Sequence, residues 1–171
     1  MFSKPLKRAS LLALPLLLLS ALSLSAWALI EPTDSQRETM VEMIDQLEQR
    51  HYAKHRYDDE LSSSHLDGYV DSLDSAKMFF TAADIAEFEQ YRTAMDEQLH
   101  EGNLEAGFMI FNRFEQRLQQ RLQKVLDTLP DAIAQMDFSV DEMYPLELDE
   151  WGWAQDNKEL DDRWRKRLKN E

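Results

Sequence analysis

From Thr33 onward, apolar residues recur at steps of three and four, and that spacing predicts a chain of amphipathic helices. The first expected helix starts at Thr33, where Thr33 and Gln36 have the spacing of a capping box, and carries a stripe of Met40, Met43, Ile44 and Leu47. It should fade near Tyr52 to His55. A second begins at Asp58 or Asp59, either of which can accept from free backbone N–H groups, and offers Leu61, Leu66, Tyr69, Val70 and Leu73. Asp74-Ser75 breaks the pattern, and Met78-Phe79-Phe80 follows as a short apolar plug. Thr81 with Asp84 opens a third helix through Ile85, Phe88, Met95 and Leu99, and Gly102 is a natural stop.

Asn103 caps the fourth and longest helix, whose apolar side holds Phe108, Phe111, Phe114, Leu118, Leu122, Val125 and Leu129 up to Pro130. It should measure close to ~40 Å at about 1.5 Å per residue. The Phe series reads as core. Arg113, Arg117 and Arg121 form a row four apart on another face. Met136 to Trp153 has no clear period and reads as an extended connector, held down by Phe138, Tyr144, Trp151 and Trp153. The last helix starts near Asn157 with Leu160, Trp164 and Leu168 on one stripe; acids lead and bases follow, which suits the helix dipole. The expected fold class is all-α: an elongated helical domain of about four to five helices. The expected boundaries are a leader over 1–28, a helical domain over 29–135, a connector over 136–156 and a further helix beginning at 157–171.

The leader follows from charge. Lys4, Lys7 and Arg8 precede 22 residues with no charge, and Ala26-Trp27-Ala28 offers small side chains to a signal peptidase. Cleavage after Ala28 is expected, with export to a periplasm and no stable insertion in the membrane afterwards. An uncleaved anchor is the competing reading, weakened by Pro15, Ser20, Ser23 and Ser25. Without Lys4, Lys7 and Arg8 the chain keeps 16 basic against 33 acidic residues, a net charge of −17. So acidic a surface repels phosphates, and nucleic acid is not an expected partner.

Chemistry is sparse. Cys is absent, which excludes disulfides, thiolate metal sites and a cysteine nucleophile. His51 and His55, four apart, are weak candidates for one metal ion, and two exposed histidines at a helix end usually hold none. Ser62-Ser63-Ser64 near His65, and Ser75 near Lys77, lie in no nucleophile motif. Glycine-rich phosphate loops are missing. No catalytic residue and no cofactor are expected. Trp151, Trp153, Leu160, Trp164 and Leu168 are the candidate interaction residues, because two Trp around a Gly and an amphipathic helix at the chain end both need a covering surface. That surface is expected slightly more in sequence beyond this chain than in the chain itself.

Four strings bear on identity: Leu29 to Arg37; Leu73-Asp74 through Met78-Phe79-Phe80 to Phe88; Phe111-Asn112-Arg113-Phe114; and Trp164 to Glu171. In this order they resemble the N-terminal region of tail-specific proteases, the bacterial carboxy-terminal-processing peptidases. Ser75-Ala76 departs from the Pro-Asn the family tends to place there. The resemblance implies a helical domain ahead of a PDZ domain and a catalytic domain with a Ser–Lys dyad, neither of which has a counterpart here. It also implies that the last helix continues, that the chain is a piece of something longer, and that the remainder of the protease, an adaptor or a substrate is its partner. A stand-alone exported binding or inhibitory module is the alternative.

Overall fold

The computed structural model describes residues 29–50, 56–145 and 151–171. Among the described residues six α-helices follow one another: α1 Asp34–Arg50, α2 Asp59–Asp74, α3 Ala82–Phe88, α4 Met95–His100, α5 Glu105–Gln135 and α6 Asn157–Asn170, with a 3-10 turn over Glu89–Tyr91. Among the described residues there is no strand, and the fold is all-α; one isolated parallel bridge joins Thr81 to Ala154. The leader, the fading end of α1 and His51 and His55 lie outside the described residues.

Local chemistry sets the helix ends. Thr33 and Gln36 exchange hydrogen bonds before α1: the Thr33 N–H donates to Gln36 Oε1 over 2.8 Å. Asp58 Oδ1 accepts from the N–H groups of Glu60 and Leu61 at the head of α2. Asp156 does the same for Glu159 at the head of α6. Gly102, at φ +70°, ends α4 with the Asn103 N–H reaching back to Gln98 O over 2.7 Å, a turn that needs the left-handed conformation. A Cβ there would meet Arg37 O and Val41 Cγ2 of α1, each at 3.1 Å, so glycine also lets α1 cross close over the end of α4.

Two expectations about helix extent change. The third helix splits into α3 and α4. In a continuous helix the Arg92 carbonyl would accept from Asp96; instead the fully buried Ser62 hydroxyl of α2 donates to it over 2.8 Å. The Arg92 guanidinium turns the same way, to Ser63 and Asp67. The fourth helix passes through Pro130 and runs to Gln135. Proline leaves the Leu126 carbonyl without its helical donor, but Leu126 is 68% exposed and water can replace the bond.

The core gathers Leu66 and Val70 of α2, Phe80, Phe88 of α3, Met95 of α4, and Ala106 and Ile110 of α5. Phe80 is completely buried, edge-on to Phe88 at 5.2 Å between ring centres. Of the expected Phe series only Phe114 packs on this core. The inward line of α5 runs Ala106, Ile110, Phe114, which turns Phe108 and Phe111 towards α1 instead. Ile44 alone of the expected α1 stripe is buried; Met43 and Leu47 stay half exposed.

Phe80→Ala should cost about 3–5 kcal/mol of unfolding free energy by loss of transfer and opening of a cavity. Urea titration followed by circular dichroism checks this, with Met143→Ser, at an 89% exposed position, expected to leave the midpoint unchanged.

Candidate interaction surfaces

Two aspartates organise the turn that the sequence marks as a break. Asp74 ends α2, is 2% exposed, and accepts from the N–H groups of Met78, Phe79 and Phe80 at 2.8–2.9 Å. Its carboxylate thus folds the apolar plug back onto the helix that precedes it. Burial pushes the carboxyl above its ordinary range, against the pull of those three donors. Asp84, 1% exposed, closes the capping box with Thr81 and also meets two guanidinium groups of α5. Arg113 Nη1 lies 2.6 Å from Oδ1, and Arg117 contacts both oxygens at 2.9 and 3.0 Å. Burial opposes ionisation here too, but Arg117, Thr81 and Arg113 outweigh it and hold the carboxyl below its usual value.

The third arginine of the row, Arg121, is buried and bonds Asp161 of α6, which Lys124 also reaches. The arginine row therefore serves partners far away in sequence.

Each candidate interaction residue has a defined place. Leu160 is buried at 1%. The Trp164 indole N–H donates to Met78 O over 2.8 Å, and its ring stands edge-on to Phe79 at 5.7 Å. Trp153 packs on the core beside Phe80. Trp151 lies under the Arg163 guanidinium, 4.8 Å from the ring centre, and edge-on to Tyr144. Leu168 is half-buried. The two tryptophans around Gly152 thus make contacts within this chain and stay partly exposed. Arg163 completes the fixing of α6, donating to Lys77 O and Gly152 O at 2.9 Å each. The connector lies on α6 through Glu142, whose carboxyl the Arg165 and Lys169 bonds hold down at about 2.

A larger open surface lies elsewhere. On α5, Leu122, Leu126 and Ile133 are 45%, 68% and 55% exposed. With Leu129 they fall at steps of four, three and four, the spacing of a coiled-coil seam. Phe138, Val140 and Met143 of the connector add further exposed apolar area. Leu122 and Leu129 belong to the apolar side expected of this helix.

Near the other end, His100 of α4 faces two acceptors, Asp96 O at 2.6 Å from Nδ1 and Glu48 Oε1 of α1 at 3.0 Å from Nε2. Both nitrogens must carry hydrogen to satisfy both, so the backbone bond to Asp96 and the Glu48 carboxylate raise this imidazole above its ordinary value. Beside it, burial lowers His65 and pushes the Tyr57 phenol up to about 12, and the phenol bonds His65 Nδ1 over 2.6 Å with both groups neutral. Among the described residues, no group of three or more His, Cys, Asp or Glu could hold a metal ion.

The four strings noted in the sequence converge in space. Asn112 exchanges two 2.9 Å bonds with the backbone of Ile30, Arg113 reaches Asp84, and Trp164 reaches Met78. Such mutual contacts define an all-α unit built around one aromatic plug. Residues 43–171 match the family described as the tail specific protease N-terminal domain, and the chain belongs to that family. A relative, the tail-specific protease of Haemophilus influenzae, is 35% identical over 99 residues; the match covers 56% of this chain and 14% of that protein.

Asp84→Ala should cost about 3–5 kcal/mol, because it leaves two arginines facing a partner that is gone; Arg113→Ala should cost less, since Arg117 remains. A double-mutant cycle by urea unfolding measures both. The pH response has two limbs. Asp84, held low, contributes fully above the ordinary carboxylate range, and that contribution is lost as pH falls through its lowered value. His100, raised, contributes fully below about 6.5 and loses its contribution as pH climbs through its folded value. His100→Gln should therefore flatten melting temperature against pH above that point and leave the acid limb intact.

Proposed function

We propose that this chain is the noncatalytic N-terminal helical domain of a periplasmic, serine-type tail-specific protease, exported by its leader. In this reading it scaffolds the protease core and takes part in docking substrate or an adaptor. The observation that carries it is the open seam of α5 with Leu122, Leu126 and Ile133. Apolar area of that length in a soluble domain calls for a protein surface to cover it, and the remainder of the protease is the surface at hand. Membership of the family supports this identity for the partner, since the chain corresponds to a small fraction of its relative's length. None of the described helices is long and apolar enough to cross a membrane, consistent with an apolar seam that faces protein. Catalysis would then belong to the part that carries the family's Ser–Lys dyad, and this chain would contribute position and rigidity.

Purified chain incubated with a peptide ending in apolar residues should show no cleavage by mass spectrometry; turnover that persists through purification would overturn the noncatalytic assignment. The paired change Leu126→Asp with Ile133→Asp should leave the melting point of the chain nearly unchanged, as exposed substitutions stay within about 0.5 kcal/mol. The same pair should weaken association with the remainder of the protease by at least about tenfold, roughly 1.4 kcal/mol, read by isothermal calorimetry. Unaltered association would remove the seam from the scaffold.

A further inference from the structure

A second apolar surface lies between α1, α4 and α5, away from the α5 seam. It is a groove of about 540 Å³ whose floor and walls include Met40, Met43, Met95, Leu99, Phe108 and Phe111. None of the residues lining it is Lys, Arg, Asp or Glu. Methionine is unbranched and polarizable, and a wall built from three of them adapts to side chains of different shape. Gln98 of α4 also lines the groove, and its Oε1 is buried with no hydrogen-bond partner. A buried acceptor left unmet costs on the order of 1–3 kcal/mol, and turning the Gln98 amide outward to a donor on an occupant would recover it. Outside the groove, α1 presents Glu38, Glu42 and Asp45 to solvent, and the whole chain carries a net charge of −14.

We propose that this groove docks an amphipathic helical segment of a partner protein, apolar on the side that enters and basic on the side that meets α1. The groove supplies a deformable apolar bed, the usual requirement for holding the apolar face of a helix. Since a helix interior spends its own N–H groups internally, the donor for Gln98 comes from a side chain such as a Trp indole or an Arg guanidinium. The acids of α1 then select a cationic outer face and speed its arrival. This inference rests on the docking part of the proposed reading and gives the partner's chemistry, while it uses none of the α5 seam.

The test is fluorescence anisotropy on the purified chain with a labelled peptide of about four helical turns, Leu and Trp on one face and Lys and Arg on the other. Micromolar binding is expected, weakening as salt rises to about 0.5 M. An otherwise identical peptide with Glu in place of its Lys and Arg should bind at least about tenfold more weakly. Met43→Glu, at a 48% exposed position, should cost at least about tenfold, or 1.4 kcal/mol, with the melting point nearly unchanged. Gln98→Leu should weaken the peptide severalfold while raising the melting point, which a purely structural Gln98 would not do. The paired α5 substitutions should leave the peptide affinity as it was, so failure here and failure of the scaffold reading are distinguishable. No binding at ~100 µM, equal affinity for the acidic peptide, or indifference to Met43→Glu would overturn the proposal. So would self-association in sedimentation velocity that Met43→Glu abolishes, since it would assign the groove to a second copy.

Discussion

The carboxylate of Asp84 is the constraint through which the parts of this domain meet. It closes the first turn of α3 through Thr81, and it receives Arg113 and Arg117 from α5 while almost wholly withdrawn from water. A charge so placed is tolerable only because every oxygen is engaged by a donor. The arrangement fixes the rotation of α5 about its own axis, and that rotation decides which of its side chains enter the core. Ala106, Ile110 and Phe114 go in, and Phe108 and Phe111 face α1 instead.

Asp74 solves a different problem with the same side chain. Three consecutive peptide N–H groups would be stranded where Met78, Phe79 and Phe80 dive into the interior, and one carboxylate collects all of them. The opposed shifts of the two acids reflect their neighbours: backbone dipoles do not fully offset burial at Asp74, whereas two full positive charges do at Asp84. Around this pair the tryptophans, Arg163 and Asp161 seat α6, so that the last helix belongs to the body of the domain.

Helix starts were legible at Asp58 and at Thr81 with Asp84 because capping is local and acts within three residues; the Asp156 cap of α6 is equally local and was not singled out. The stop at Gly102 was legible for the same reason. The division between α3 and α4 was not, since it depends on Ser62, thirty positions earlier, taking the Arg92 carbonyl. Nor was the passage through Pro130, which turns on exposure of Leu126 and not on the identity of the proline. The arginine row was visible as a pattern, but its partners lie about thirty to forty residues away. Trp151 and Trp153 stand out in the sequence, but their neighbours Arg163 and Phe80 are brought to them only by the fold.

The length of α5 has a mechanical corollary. Its first half is gripped by ion pairs and core contacts, whereas the stretch beyond Lys124 leaves Leu126 and Ile133 exposed. A rod clamped at one end transmits torque. Whatever leans on Leu126 or Ile133 must either bend the shaft at Pro130, where the backbone ladder already lacks a rung, or twist the clamped arginines against Asp84 and Asp161.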